Sequence, residues 1–538
     1  MSHASIILRG GRIFCGLHEG FAEALAIAGD RVLAAGTAAE IDALRGPATR
    51  VIELDGRLAI PGLNDAHMHV PHFGLGMVEL NLRTEAGVSS VGEILSRVAA
   101  EVARKAPGEW VVGRGYDHNE LAEKRHPSLE ELGAAAPRNP VLLKRTCGHI
   151  AVANPLAFQA AGIDHDTPSP AGGLIERRDG ALTGLLAESA MRLIEDVKPK
   201  ASVAELREAI ERCGAYMLSQ GFTSVMDAAV GMVAGMAELD AYEQLAEAGR
   251  LPIRTWICLY GDARGIADAA FERGFRFGRE IGFLRYGAMK VFADGSAGGL
   301  TAAMTQAYVV GDPGNRGILS LSRDEMHGLL SRYHDQGYQL AIHAIGDAAI
   351  EQVLSGIEAA AGVGSLRARR HRIEHCGFLT DGQLVRMAAA GIEPVPQPVF
   401  IYEFGDLYIQ NVGMERATGS YPLRKWLDAG LHPAASSDAP VCTPDPFKNL
   451  FTMVTRRSKR GTILGESERV SLAEAIHAYT ACGAYTQFAE QRLGVLKPGY
   501  LADVAVLSRD IFACEVEEIE FDVRCDMTIL NGQIAYAR

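Results

Sequence analysis

The first sixty residues alternate short apolar runs with glycine turns: Ile6 to Leu8 before Gly10-Gly11, Leu25 to Ile27 before Gly29-Asp30, and Val51 to Leu54 before Asp55-Gly56. Such runs predict β-hairpins, too few to close a good core by themselves. The same grammar returns in Ala502 to Leu507 and in Met527 to Leu530 before Asn531-Gly532. The economical reading is one β-sandwich assembled from both ends of the chain, residues 1–60 with 488–538, around a different domain.

That middle domain, 61–487, alternates β-rich apolar runs with amphipathic helical stretches, the pattern of a parallel α/β fold. Eight runs read as strands: Leu58 to Val70, Thr223 to Ala228, Ile253 to Leu259, Tyr286 to Phe292, Leu340 to His343, Arg372 to Cys376, Ile392 to Pro396 and Ala434 to Asp438. Eight parallel strands close a (β/α)8, TIM-like barrel. Ser202 is the predicted N-cap of a helix whose apolar face is Leu206, Ile210, Cys213 and Met217. The first and second strands are separated by about 150 residues, far beyond an ordinary βα connection, so 72–200 is expected to be an inserted subdomain over the barrel mouth.

Composition narrows the functional classes. The 538 residues are 48% hydrophobic and 22% charged, enough for a large core and for more than one domain. With 53 basic against 66 acidic side chains, and no cluster of Lys and Arg, nucleic acid is not an expected partner. The nine cysteines are odd in number, scattered and without a CxxC pair, which disfavours both a disulfide framework and a thiolate zinc cluster. Neither a signal segment nor an 18-residue apolar run occurs, so no membrane association and a cytoplasmic location are expected.

The sharpest chemical signal is Pro61 to His69, reading PGLNDAHMH. Residues i and i+2 of a strand share a face, so His67 and His69 could bind one ion. An isolated HxH can equally be two surface or core histidines. Metal-competent residues also lie in or at the end of four later strands: Lys290, His343, His375 and Asp438. In a barrel the C-terminal strand ends form one site, so these distant positions are expected to converge. Lys290 has two readings, because an ammonium repels a divalent cation. Either carbon dioxide adds to its amine, giving a carbamate that bridges two metals, or it is an ordinary lysine paired with Asp294 or another carboxylate. Burial near cations lowers a lysine pKa and frees a nucleophilic amine, which favours the carbamate.

The arrangement resembles the amidohydrolase superfamily, and more narrowly its YtcJ-like, N-substituted formamide deformylase-like branch. The resemblance runs from Pro61–His69 through Gly115-Tyr116-Asp117, Gly148-His149, Lys290 with Asp294-Gly295-Ser296, His343 to Asp347, Arg372 to His375 and Ser437 to Pro440, as far as Leu496 to Asp503. It implies a binuclear site: His67 and His69 on one metal, His343 and His375 on the other, a carboxylated Lys290 between them, and Asp438 on the first. Two zinc ions per chain are expected, with iron or manganese as alternatives. Water activated by the metals would attack a carbonyl, and Asp438 would act as general base and then acid. The implied reaction is hydrolysis of a non-peptide C–N bond in an amide, N-substituted formamide or cyclic amide.

Adenosine-type deaminases carry His-x-x-Glu after the fifth strand, whereas His343-Ala344-Ile345-Gly346 ends in glycine with Asp347 one residue late. Deamination, ester or carbamate hydrolysis, and a non-catalytic regulatory protein on the same fold are the alternatives. Tyr116, Asp117 and His149, in the insertion, are candidates to orient a small-molecule substrate, and Phe400, Tyr402 and Phe404 are aromatic candidates near the barrel loops. His72 is a candidate pocket residue; the other histidines read as solvated or packed. A homodimer is the expected assembly, since symmetric pairs are the commonest oligomers.

Overall fold

The computed structural model describes residues 3–146, 150–170, 173–361 and 366–538. They divide into two compact units, Met1–Phe73 with Leu206–Arg538, and Gly74–Glu205.

In the first unit, seven parallel strands run side by side: β1 (Leu63–Met68), β2 (Phe222–Val230), β3 (Arg254–Tyr260), β4 (Leu284–Phe292), β5 (Leu340–Ala344), β6 (Arg372–His375) and β7 (Glu393–Val395). This is the sheet of a (β/α)8 barrel. The expected eighth strand, Ala434 to Asp438, is not a regular strand. It is an extended segment that closes the ring with single hydrogen bonds: Ala434 N–H donates to Pro394 on one side, and Ala66 N–H and the Asp438 N–H bond Ala435 and His67 across the other. The sheet is therefore nearly closed, its last gap bridged by isolated bonds.

The expected strand Leu58 to Val70 is two strands in two sheets. Leu58–Pro61 belongs to a six-stranded sheet with Gln533–Ala537, Cys525–Leu530, Val504–Leu507, Arg12–Gly16 and Gly20–Ala22, whereas β1 starts the barrel. The break falls at Gly62, where a Cβ would stand 2.2 Å from Thr223 Oγ1 of β2, so only glycine permits the crossing. A four-stranded sheet of Ala4–Arg9, Ala24–Ala28, Arg31–Gly36 and Arg45–Glu53 completes this part of the unit. Ile6, Leu8, Leu25 and Ile27 share one buried cluster with Ala59, Leu496, Val504, Val506 and Ile529. Early and late segments of the chain thus bury a common core, the dominant favourable term in holding them together. Ser202 caps the helix Val203–Ser219 reciprocally with Glu205, its Oγ accepting from the Glu205 N–H at 3.3 Å.

The second unit has a six-stranded sheet, ordered Gly173–Arg178, Ala181–Glu188, Ile150–Ala153, Val141–Arg145, Val111–Tyr116, Leu80–Asn81. Helices Val91–Val102 and Leu129–Ala135 supply Val91, Ile94, Val98 and Leu132 to its core. Among the described residues no helix is long and apolar enough to cross a membrane.

Candidate metal centre

His67 and His69 leave the end of β1 toward the carboxylate of Asp438, which ends the closing segment. Asp438 Oδ1 is 3.4 Å from His67 Nε2 and 3.3 Å from His69 Nε2. Among the described residues these three form a group whose ligand atoms all lie within 4.8 Å of one another, the spacing a single ion demands.

The His67 ring is aimed from behind. Its Nδ1 lies 2.5 Å from Glu374 Oε2, and the Arg372 guanidinium holds that carboxylate with Nε on Oε1 at 2.7 Å and a terminal nitrogen on Oε2 at 2.9 Å. An ionised carboxylate only accepts, so Nδ1 carries the ring proton and Nε2 presents a lone pair. Burial foremost lowers the His67 pKa and keeps the ring neutral. Among the described residues the buried Nε2 makes no hydrogen bond, and another acceptor, Asp438 Oδ1, stands 3.4 Å from it. Acceptors converging without a proton between them fit a divalent cation.

His343 and His375 stand beside this group. The His375 ring centroid is 4.9 Å from that of His67 and 4.4 Å from that of His343. His375 Nδ1 is 2.5 Å from Gln397 Oε1, which leaves Nε2 to a ligand. His343 Nε2 is 3.0 Å from the Gly295 carbonyl and 3.3 Å from Asp294 Oδ1. Lys290, on β4, is fully buried, and its Nζ has no hydrogen-bond partner among the described residues. Burial lowers its pKa against the opposing pull of Glu374 and Asp438. The expected alternative, a pair with Asp294, does not form. Asp294 instead accepts from the backbone N–H groups of Ile345 (3.0 Å), Gly346 (2.9 Å) and Ala303 (2.8 Å).

The site also carries backbone strain. His375 (φ 68°), Cys376 (φ 52°) and Asp438 (φ 56°) occupy the left-handed region, which costs roughly 1–3 kcal/mol per non-glycine residue. At His375 the turn also breaks strand alternation, so that two consecutive side chains, Glu374 and His375, both face His67.

The remaining candidates divide. Tyr116 and Asp117 lie in the 74–205 unit. There the buried Tyr116 hydroxyl is 2.9 Å from His126 Nδ1, and Asp117 pairs with Arg145 at 2.7 Å. His149 falls outside the described residues. Asp347 accepts from the Thr305 N–H at 2.8 Å. Phe400 stacks near His375 at 6.0 Å, whereas the Tyr402 hydroxyl is bonded to Glu520. His72 is half-buried on the helix Val70–Gly76. Sequence reasoning assigned no role to Gln397, named Arg372 and Glu374 only within a matching segment, and offered Asp294 only as a partner for Lys290. The Arg-x-Glu spacing on β6 marks a same-face pair, but strand alternation puts that face opposite His375.

Known proteins resemble the chain over nearly its whole length. Residues 50–536 match the Amidohydro_3 amidohydrolase family. The chain is 33% identical over 530 residues to Protein LONG AFTER FAR-RED 3 of Arabidopsis thaliana (96% of this chain, 88% of the relative). It is 31% identical over 499 residues to the putative amidohydrolase YtcJ of Bacillus subtilis (strain 168), covering 91% of each. With the N-substituted formamide deformylase of Arthrobacter pascens it shares 31% over 534 residues (96% and 95%). An uncharacterized metal-dependent hydrolase from Pyrococcus furiosus superposes with a TM-score of 0.77 at 29% identity, over 94% of this chain and 99% of that one.

Proposed function

Since the chain belongs to the amidohydrolase family of metal-dependent hydrolases acting on C–N bonds, we propose that it hydrolyses a small non-peptide amide, an N-substituted formamide or a cyclic amide at the His67–His69–Asp438 centre. The observation that carries this reading is the convergence of two imidazole Nε2 atoms on one carboxylate oxygen, with the His67 Nδ1 proton already committed to Glu374.

In this reading His67, His69 and Asp438 would hold one divalent ion and His343 and His375 a second. Lys290, its amine kept neutral by burial, would add carbon dioxide at Nζ and release a proton, and the carbamate would be a further ligand of the centre. When bound, the ions acidify water and polarise the scissile carbonyl. Asp438 accepts the proton of the attacking water and returns it to the leaving nitrogen, a contribution typically of about 100- to 10,000-fold. Glu374 and Gln397 hold the rings of His67 and His375, and Asp294 pins the turn that follows His343. The likeness to a deformylase makes formamides the first substrates to try.

The test is metal analysis by plasma mass spectrometry on protein purified without chelator, alongside a panel of formamides, cyclic amides and esters. About two equivalents per chain, with amide turnover abolished by chelation and restored by zinc, iron or manganese, is the expected result. Full activity after exhaustive chelation would overturn it.

A further inference from the structure

We propose that Glu374, fixed by Arg372, is the positioning residue that aims His67 at its ion and sets how tightly that ion is held. The inference rests on the metal reading above and concerns a residue outside the ligand set.

Three side chains form a closed chain of contacts inside the barrel. Arg372 and Glu374 are wholly buried and His67 is 1% exposed, so no water competes for their hydrogen bonds. Both Glu374 oxygens are committed, Oε1 to Arg372 Nε and Oε2 to a terminal nitrogen of Arg372 and to His67 Nδ1. Glu374 meets the His67 ring at Nδ1, whereas the ligand group gathers at Nε2, which separates Glu374 from the ligands. Nor is it hydrogen-bonded to Lys290, whose Nζ has no hydrogen-bond partner among the described residues. The same Arg372 nitrogen that holds Oε2 also donates to the Ala66 carbonyl at 2.8 Å, just before His67. Arg372 thereby fixes the carboxylate and the backbone of its target strand in one frame. A carboxylate behind a metal-binding imidazole locks the ring, selects the tautomer and raises its basicity, and losing it typically weakens metal affinity by about 10- to 100-fold.

The experiment is cobalt(II) titration of the metal-free full chain, followed by visible absorption, for wild type, Glu374→Asp and Glu374→Gln, with melting curves of each metal-free form. Glu374→Asp keeps the counter-charge for Arg372 but draws the oxygens back from His67 by one methylene. We expect it to melt close to wild type yet bind one cobalt equivalent roughly 10- to 100-fold more weakly, with an altered spectrum. Glu374→Gln keeps an acceptor for Nδ1–H but strands Arg372 without a counter-ion, so it should lose melting temperature more than Glu374→Asp does. In a His67→Ala background Glu374→Asp should have no further effect on cobalt. Wild-type affinity and spectrum in Glu374→Asp would overturn the proposal while leaving the metal centre standing. A wild-type protein that takes up no cobalt would overturn the metal reading itself, and this inference with it.

Discussion

His67 and Asp438 are joined twice: the Asp438 N–H donates to the His67 carbonyl at 2.8 Å, and Asp438 Oδ1 stands 3.4 Å from His67 Nε2. The backbone bond closes the barrel, and the side-chain approach builds the centre. The two contributions separate in Asp438→Asn, which keeps the N–H and the side-chain volume. Turnover of the best amide should fall at least about 100-fold while melting stays within a few degrees of wild type. Steady-state kinetics and a thermal melt check this.

Among the described residues the buried Lys290 Nζ makes no hydrogen bond, so an unpaired ammonium there is costly. Lys290→Ala should bind clearly less than the wild-type metal content, read by plasma mass spectrometry. Unchanged stoichiometry would make Lys290 a structural residue.

Asp294 pins three backbone N–H groups from two loops with one charged carboxylate. In Asp294→Asn an amide NH2 must face one or more of those donors. Leaving buried donors unsatisfied costs about 1–3 kcal/mol each, so urea denaturation should show a loss of about 2–4 kcal/mol. A change below about 0.5 kcal/mol would place Asp294 outside the support of the site.

His371 predicts a pH dependence. It is fully buried; its Nδ1 accepts from the Leu340 N–H at 3.0 Å and its Nε2 is 2.9 Å from His334 Nδ1. Burial foremost, with His334 and Arg369 adding, lowers its pKa to about 3, against roughly 6.5 for an unfolded chain. Below about pH 6.5 the unfolded state takes up a proton that the native state refuses, so stability is full above that pH and lost as pH falls toward 3. Between pH 7 and 5 the loss from this group is about 2 kcal/mol. In His371→Gln, which does not titrate, the difference in unfolding free energy between those pH values should shrink by about that amount.

Much of this was legible before any coordinates. The alternation rule put His67 and His69 on one face, and the barrel rule brought Lys290, His343, His375 and Asp438 to the same end. Local backbone events escaped the pattern. Gly62 sits inside the apolar run Leu58 to Leu63, and only its contact with Thr223 shows where one sheet stops and another begins. Ala434 to Asp438 stands where an eighth strand is needed and is extended and buried, yet its few hydrogen bonds to Pro394, Ala66 and His67 make no ladder. Glu374 was hidden by alternation itself: if His375 points to the centre, its predecessor should not, unless φ turns positive, and residue types do not announce that.

The sheet that holds Leu58–Pro61 has a consequence for synthesis on the ribosome. Leu58–Pro61 pairs on one side with Arg12–Gly16, made earlier, and on the other with Val504–Leu507, made more than four hundred residues later. Through all that time its second edge is open and the apolar cluster beneath lacks Leu496, Val504, Val506 and Ile529. An unpaired edge above a half-built core is a template for wrong partners. The nascent chain therefore carries its earliest aggregation hazard until nearly its last strand emerges, and a chaperone that shields residues 1–60 should matter more to yield than one that acts on the finished barrel.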